Sequence, residues 1–584
     1  MFKYVLALMP FLSFAATLDP IIVSSKTETS QSQLTYEPDV ITEEEIEGRF
    51  STSLVDQLRL NHGLNISQTG GPSGNYSISI RGAESRHTLV LIDGIKVNDP
   101  SESTNSFNMP GLSSLDIEKV EIIKGAQSLL YGADAIGGVI NIITKKGEKG
   151  GRVSLETGVR NEFSNSVTVY TRRGALYLNT FYNESEKISA LKSNGEQDKA
   201  HNKGVTLNYS LALEKAEFDW KLKLLDSFNE FDNSAGDSTL PFARLRTQLY
   251  SQTVKLNKHK IQSSYLRTDR FSDFGTSFNT YKGENLTNEY IFNVSSDSIK
   301  AAFGVQHEYI TYEQQNTDQY KANMISIYGS YSLYSGDYIF NKGLRASKHE
   351  EFGNSFNYNL GVVRKLTGIY QLKLNYATGF KNPTLYQLYT IDKTSFGTTA
   401  GNKNLKPEVS GTKELTFSKK GRNPYSVTLF ETRITDFINY KTDSVTFDST
   451  FINSKSLRTY GVDFKFLQSF KNTNLSEGII FLRSEDSARK NALKKPGQKL
   501  TLNIAHKVDD THSVVADWYW VSAQYDYGDI ELPAYDVTSL SYVFKKQKYL
   551  LKAGIRNVFD KRYEEAAGYN VLGLNGYFKA EYFY

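Results

Sequence analysis

From residue 151 onward the chain alternates hydrophobic and polar residues with a period of two. The clearest example is residues 370–376, where Tyr and Leu alternate with Gln, Lys and Asn, and the pattern recurs at 176–183, 462–466 and 499–504. Such alternation puts one kind of side chain on each face of a β-strand. The region 151–584 therefore predicts a mainly β unit, with room for roughly 22 antiparallel strands of about ten residues.

Before residue 147, helix and strand signals are mixed. Thr42 and Glu45 have the spacing of a helix-capping box, and residues 51–60 place Leu54, Val55 and Leu58 on one helical face. Residues 88–92 and 95–98 flank Asp93-Gly94, a two-residue hairpin signal. We therefore expect an α+β domain at 36–147, separated from the β unit by the glycine-containing stretch 147–151.

The first 15 residues have the organisation of a secretory signal peptide. Lys3 provides the positive charge, residues 4–14 the apolar region, and Ser13-Phe14-Ala15 a small-x-small cleavage site. Residues 16–35 would then be the exported N-terminal segment. The chain contains no Cys, so we expect a closed hydrogen-bonded ladder or a large core to stabilise the exported protein.

Two architectures fit the β unit, a soluble sandwich and a transmembrane β-barrel. The mean hydropathy of −0.44 suits either, because a barrel also averages its polar and apolar faces. The C-terminal strand favours the barrel, because its aromatic face would be a poor sheet edge in water. Four residues share that face, opposite Lys579 and Glu581: Phe578, Ala580, Tyr582 and Tyr584.

Composition argues against two other classes of function. The 68 basic and 64 acidic residues give a net charge of only +4, and no basic run or face stands out, so nucleic-acid binding is not expected. The 8 His residues show no metal-ligand spacing, and no catalytic triad or carboxylate pair is legible. We therefore expect a protein that is not an enzyme.

Several motifs resemble one family. They are VEIIKG (120–125) and LLYGADAIGGVINIIT (129–144) in the N-terminal domain, and YATGFKNPTLYQLY (376–389) and IRNVFDKRYEEAAGY (555–569) in the β unit. Together they resemble the TonB-dependent outer-membrane receptors, and within that family the cobalamin receptors most. The resemblance implies a 22-stranded barrel in the lipid of a Gram-negative outer membrane, with an N-terminal α+β plug domain inside it.

The resemblance also implies a function. It predicts active uptake of a scarce large ligand by a monomeric receptor, with cobalamin or a related corrinoid as the first candidate. A ferric siderophore or haem is the alternative ligand. A secreted β-rich adhesin or hydrolase is the alternative outside the family.

The energy-coupling segment of this family, the TonB box, corresponds here to Asp19, Pro20, Ile21, Ile22, Val23 and Ser24. By resemblance it would be captured in the periplasm by TonB, which an inner-membrane complex energises. A short apolar segment can add as a strand to a partner's sheet edge, although an unstructured N-terminus would also fit these residues.

Two plug loops, 70–76 and 99–107, face the outside in the family and supply candidate ligand contacts. The candidates are Ser73, Asn75, Tyr76, Ser77, Glu84 and Ser103. Ser77 and Ser103 correspond to ligand-contacting positions of the cobalamin receptors, whereas Glu84 replaces an amide. All six are also ordinary loop residues. Arg81 resembles a plug arginine of the family and is expected to bond to barrel carboxylates.

The cobalamin receptors also hold calcium in acidic extracellular loops, since calcium takes several carboxylate oxygens. The corresponding aspartates are Asp198, Asp226, Asp232 and Asp237. Leu245 stands where a further acidic residue would be expected. Solvated loop charge is therefore the preferred interpretation, with calcium as the alternative, and no cofactor is expected to be required.

Overall fold

The computed structural model describes residues 21–22, 26, 29–49, 53–69, 74–107, 109, 112–113, 116–146, 150–158, 160–186, 189–192, 197–232, 241–275, 277–315, 317–393, 397–454, 456–486 and 492–584. The predicted signal peptide lies outside these residues. So do six predicted site residues: Asp19, Pro20, Val23, Ser24, Ser73 and Asp237. Among the described helices, none has the length and apolar character needed to cross a membrane.

The N-terminal domain is a small α+β unit, as predicted. Its strands are β1 (Ile21–Ile22), β2 (Thr29–Ser30), β3 (Asp39–Thr42), β4 (Leu64–Thr69), β5 (Asn75–Ile80), β6 (Thr88–Ile92), β7 (Ile95–Lys96), β8 (Ile117–Lys124) and β9 (Gly138–Thr144). Its helices are α1 (Glu43–Gly48), α2 (Leu54–Arg59) and α3 (Ser128–Tyr131), with 3-10 turns at Gln31–Gln33 and Ser85–His87. One mixed sheet has the order β3-β8-β9-β6-β7, and β4 pairs with β5.

The local signals of this domain are confirmed. Thr42 and Glu45 form the capping box of α1, and α2 buries Leu54, Val55 and Leu58. The strands β6 and β7 pair across Asp93-Gly94. The returning strand ends at Lys96 rather than at residue 98, because the side chain of Asn98 accepts the Val90 N–H at 2.8 Å.

The C-terminal domain is a closed antiparallel barrel of 22 strands. These are β10 (Gly150–Gly158), β11 (Arg160–Tyr170), β12 (Gly174–Glu186), β13 (Lys199–Ala212), β14 (Ala216–Glu230), β15 (Phe242–Leu256), β16 (His259–Asp273), β17 (Phe278–Ser295), β18 (Ile299–Gln314), β19 (Tyr320–Ser335), β20 (Tyr338–His349), β21 (Gly353–Lys365), β22 (Tyr370–Lys381), β25 (Glu408–Lys419), β26 (Tyr425–Thr435), β29 (Ser456–Ser469), β30 (Thr473–Asp486), β31 (Gln498–Lys507), β32 (His512–Val521), β35 (Tyr535–Lys546), β36 (Tyr549–Arg556) and β37 (Asn575–Phe583).

The long connections of the barrel carry further elements. They are α4 (Leu385–Tyr389), β23 (Ile391–Lys393), β24 (Thr398–Ala400), β27 (Ile438–Thr442), β28 (Ser449–Asn453), β33 (Gln524–Asp526) and β34 (Ile530–Leu532), with a 3-10 turn at Tyr527–Asp529. These connections all lie at one end of the barrel, and short turns such as 257–258 and 336–337 lie at the other. Long loops face the outside and short turns the periplasm in such barrels.

The barrel closes where the C-terminal strand meets the first one. Strand β37 pairs with β10 from Arg152↔Phe583 to Gly158↔Tyr577, and the Gly151 N–H donates to the Tyr584 carbonyl at 3.0 Å. No unpaired edge remains between these two strands, so the predicted barrel closure is confirmed.

Burial along the wall is the reverse of that in a soluble protein. On β22, Lys373 is 1% exposed and Asn375 6%, whereas Leu374 between them is 52% exposed. The polar face packs on the domain inside the barrel, and the apolar face points outward. Only a lipid environment makes that arrangement favourable, so the structure favours the membrane barrel over the sandwich.

Candidate ligand-binding and energy-coupling sites

Arg81 ties the plug to the barrel wall. It ends β5 with a φ of +46° and donates to Asp463 at 3.0 and 2.8 Å and to Glu414 at 2.5 Å. Burial disfavours its charge, but Asp463 and Glu414 outweigh burial and raise the pKa of Arg81. The predicted contact with barrel carboxylates is therefore present, and it is a structural one.

Asp463 is also the centre of a buried ion network. Lys124 on β8 lies 2.8 Å from both Asp463 and Asp39, and Lys465 lies 2.9 Å from Asp39. His62 lies 2.6 Å from Asp463. Burial opposes ionisation of Asp39, but the two lysines outweigh it and hold the pKa of Asp39 well below its usual range. Two plug strands are thus joined to barrel strand β29 by charge.

A second anchor joins the plug to β25. The His87 Nε2 lies 3.0 Å from Glu408, and Arg86 lies 3.3 Å from the same carboxylate. The His87 Nδ1 accepts the Glu84 N–H. Burial lowers the pKa of His87 more than Glu408 raises it. A neutral imidazole that donates through Nε2 satisfies both contacts.

The hairpin β4–β5 carries three of the candidate ligand residues. Asn75 and Ser77 are exposed, and Tyr76 lies under the Arg59 guanidinium at 6.0 Å. Arg59 in turn pairs with Glu565 in the loop between β36 and β37. This side of the plug therefore lies against the outer end of the last barrel strands.

The loop 99–107 carries Ser103 on another side of the plug. Ser103 donates to Glu102 at 3.1 Å, and its carbonyl accepts from Thr384 next to α4. Asp99 accepts from Thr268 of β16 at 2.6 Å. In the strand order, β16 lies about a third of the way round the barrel from β36. Asn75 and Ser77 therefore lie at a different part of the outer mouth of the barrel from Ser103.

Glu84 contacts residues that are close to it in the sequence. It caps the 3-10 turn at Ser85–His87 and pairs with Arg86 at 3.0 Å, with its side chain 40% exposed. The substrate-contacting role of Asn75, Tyr76, Ser77, Glu84 and Ser103 stays a prediction.

Sequence reasoning missed a tyrosine cluster at the outer mouth. Tyr320 and Tyr389 stack with centroids 4.1 Å apart and planes within 5°, and Lys403 lies over Tyr389 at 5.2 Å. Tyr281, Tyr312 and Tyr386 pack beside them. The available signal was the capping box of α4, in which Thr384 accepts the Gln387 N–H at 3.0 Å and so orients Tyr386 and Tyr389.

The described part of the predicted coupling segment is docked inside the barrel. Ile21 and Ile22 form β1, which pairs with β2, and the side chain of Ile22 is fully buried among Leu34, Leu89 and other apolar plug residues. Lys26 pairs with Glu289 of the wall at 2.8 Å. A partner must therefore displace β1 from the plug before it can pair with it.

Of the three candidate calcium ligands that the structure describes, two contact the same short segment and the third lies elsewhere. Asp198 and Asp232 both bond to the segment 189–191. Asp226 instead faces the outside of the wall, where Arg244 binds it at 2.7 Å. Within the described residues, no group of three or more His, Asp or Glu is placed to hold a metal ion. The expectation of solvated loop charge, with calcium as the alternative, stays a prediction.

Comparison with known proteins identifies the family. The model "TonB dependent receptor-like, beta-barrel" matches residues 147–558, and "TonB-dependent Receptor Plug Domain" matches residues 30–139. The vitamin B12 transporter BtuB of Vibrio cholerae is 24% identical, and the match covers 94% of this chain and 92% of that protein.

Solved structures show the same fold. The siderophore receptor PirA from Acinetobacter baumannii has a TM-score of 0.79 at 17% identity, with 94% of this chain and 98% of that chain covered. A ferric enterobactin receptor (PfeA) mutant from Pseudomonas aeruginosa has a TM-score of 0.81 at 17% identity, with 97% and 100% covered. The chain belongs to the TonB-dependent receptor family, whose members are transport receptors of the outer membrane.

Proposed function

We propose that this receptor takes up cobalamin or a related corrinoid, and that TonB drives the transport from the periplasm. The ligand proposal rests on the outer mouth of the barrel. Tyrosines cluster there, and basic side chains are paired with acidic ones. The similarity to the vitamin B12 transporter along nearly the whole chain supports it.

The charge balance rests on specific pairs. Arg59 pairs with Glu565, Arg86 with Glu84 and Glu408, and Lys494 with Asp526. Arg270 donates to the Ser101 carbonyl at 2.6 Å and lies over Tyr281 at 4.5 Å. An anionic iron chelate needs cations that are not already neutralised. Three of these cations are paired with carboxylates, and Arg270 is held by the Ser101 carbonyl and the Tyr281 ring, which disfavours such a ligand.

The chemistry of the mouth suits a corrinoid better. A corrinoid presents carboxamides around a broad apolar ring system. Stacked tyrosines offer apolar faces with hydroxyls at their edges, and the amide and hydroxyl of Asn75 and Ser77 suit carboxamide partners. Contacts at both of these places also require a ligand large enough to reach Ser103 from the hairpin β4–β5.

The coupling proposal rests on β1. Its strand conformation and apolar sequence allow it to pair with a sheet edge of TonB once it leaves β2. Tension on β1 would then act on the plug through the chain that leads to β3, whose Asp39 belongs to the buried network with Lys124 and Lys465. A pull transmitted along this path loosens the plug without any chemistry in the receptor.

A ferric siderophore receptor is the second candidate. The observation that favours it is the fold similarity to PirA and PfeA. At 16–19% identity, that similarity supports the architecture more than the ligand. The two candidates differ in the charge of the ligand, and a binding assay separates them directly.

The test is equilibrium binding of cyanocobalamin to the detergent-purified protein, with and without calcium, beside a panel of ferric siderophores. We expect saturable cyanocobalamin binding and none of the siderophores. The variant Tyr389→Ala should weaken cyanocobalamin binding on the order of tenfold, since it removes one stacking face. Siderophore binding without cyanocobalamin binding would overturn the ligand proposal.

A further inference from the structure

A lysine covers one face of the stacked tyrosine pair at the outer mouth. The Tyr320 ring lies on one face of the Tyr389 ring, with centroids 4.1 Å apart and planes within 5°. The Lys403 ammonium lies 5.2 Å from the centroid of the same Tyr389 ring. Because Tyr320 leaves no room on its own side, the ammonium lies over the other face. That face is the one on which a flat ligand would stack.

The turn that carries Lys403 is fixed by backbone hydrogen bonds. The N–H groups of Gly401 and Asn402 donate to carbonyls at the C-terminal end of α4, both at 2.8 Å. The Asn402 side chain donates to the Phe451 carbonyl of β28 at 2.9 Å. The side chain of Lys403 itself is exposed. The fold therefore places this lysine beside Tyr389 and leaves its ammonium accessible to a ligand.

The charge of Lys403 is not neutralised by the protein. Within the part of the chain that the structure describes, no carboxylate pairs with its ammonium. Arg59 and Lys494 differ in this respect, since each pairs with a carboxylate. Glu351 lies at the edge of the ring, where the Tyr389 hydroxyl donates to it at 3.3 Å. An anionic group can therefore pair with Lys403 without displacing a carboxylate.

A ligand that stacks on Tyr389 has to displace the Lys403 ammonium from the ring. The contact between a cation and an exposed ring is weak, so displacement is easy. The displaced ammonium then lies at the rim of the bound ligand. An anionic oxygen at that rim would replace the ring contact with a stronger, charge-assisted hydrogen bond. The arrangement therefore favours a ligand that combines a flat body with an anionic group beside it.

Corrinoids differ from one another in this anionic group. Cobalamins carry a phosphodiester, with one negative charge, in the nucleotide arm beside the corrin ring. Cobinamide has the same ring and carboxamides but lacks the nucleotide arm and its phosphate. One unpaired ammonium matches a ligand with one negative charge, whereas an iron chelate of higher charge would need further unpaired cations beside it.

We propose that Lys403 binds the phosphodiester of the nucleotide arm and makes the receptor select corrinoids that carry this arm. The inference rests on the proposed function and narrows its ligand to one class of corrinoid. In the free receptor, Lys403 covers the stacking face of Tyr389. In the complex, the corrin ring takes that face and the ammonium pairs with the phosphate. A corrinoid without the phosphate displaces the ammonium and gains no ion pair in return.

The test is equilibrium binding of cyanocobalamin and of dicyanocobinamide to the detergent-purified receptor. The variant K403Q should bind cyanocobalamin about tenfold more weakly, because a charge-assisted contact is lost, and dicyanocobinamide within about twofold of the parent protein. The variant K403R keeps the charge and should bind cyanocobalamin within about threefold. The matched control is K406Q, since Lys406 is exposed on the same connection, and it should bind both corrinoids like the parent. Heat-modifiable gel migration establishes that the variants are folded barrels.

Three outcomes would overturn the inference, and they separate it from the ligand proposal. Equal losses for the two corrinoids in K403Q would show that Lys403 supports the site without recognising phosphate. Unchanged cyanocobalamin binding in K403Q would exclude Lys403 from recognition and leave the ligand proposal intact. Binding of neither corrinoid to the parent protein would overturn the ligand proposal and this inference together.

Discussion

Removing the charge of Arg81 should weaken the attachment of the plug to the barrel wall. In the variant Arg81→Met, Glu414 loses its cation and Asp463 loses one of its partners, both inside the barrel. Removing one partner of a buried ion pair costs about 3–5 kcal/mol, because it leaves a buried charge uncompensated. The loss should be near the lower end, since Lys124 and His62 still contact Asp463.

An exposed anchor offers a matched comparison. Lys545 also joins plug to barrel, through Glu47 at 2.8 Å, but its side chain is 57% exposed. An exposed pair contributes about 0–1 kcal/mol. With a urea dependence of about 2 kcal/mol/M, Arg81→Met should lower the midpoint of plug unfolding by about 1.5 M, and Lys545→Met by less than about 0.5 M.

The opening of the plug can be followed with an introduced cysteine. The sequence contains no Cys, so no other thiol reacts with the reagent. A single cysteine at Ala126, a buried plug position 3% exposed, reports plug opening by its reaction with a thiol reagent in increasing urea. Equal shifts for Arg81→Met and Lys545→Met would refute the argument that burial sets the strength of these anchors. Adding Glu414→Gln to Arg81→Met should restore part of the loss, because the uncompensated carboxylate is removed.

Three further predictions follow from the coupling segment, the barrel seam and a buried histidine. Ile22→Pro should reduce ligand uptake to background yet leave equilibrium binding within about twofold, because proline removes the N–H that strand pairing uses; unaltered uptake would contradict the role of β1. Deleting Tyr584 removes the paired backbone contacts with Gly151, both at 3.0 Å, and should lower the heat-modifiable fraction in membranes; parental levels would contradict it. Burial lowers the pKa of His87, so the unfolded chain takes up the proton more readily, and plug stability should fall as pH drops through about 6.5. The decrease in urea midpoint from pH 7.5 to 5.5 should be smaller in His87→Gln, and an identical decrease would exclude His87 as a source.

Much of the fold was predictable because it follows from local sequence. Alternation along residues 370–376 defines two faces of a strand whatever its neighbours are, and the pairing of Thr42 with Glu45 needs only four residues. The aromatic C-terminal strand predicted closure because an unpaired edge is unfavourable in both water and lipid. These features depend on period and adjacency along the chain, and the structure has them where the sequence predicted them.

The functional surfaces depend on contacts between distant residues. Period-two alternation predicts that Asp226 lies on a strand and Asp232 in a loop. Only the tertiary structure shows that Asp226 contacts Arg244 on the outer face of the wall. In the same way, only the tertiary structure shows that Asp232 accepts hydrogen bonds from residues 189–191.

In the same way, Tyr320 and Tyr389 stack only because α4 folds back over β19. Register around a closed barrel brings together residues far apart in sequence, and no local pattern encodes which of them will meet. Sequence alone thus determined the barrel, the plug and the family, whereas tertiary structure decided which charges are paired and which faces remain open to a ligand or lipid.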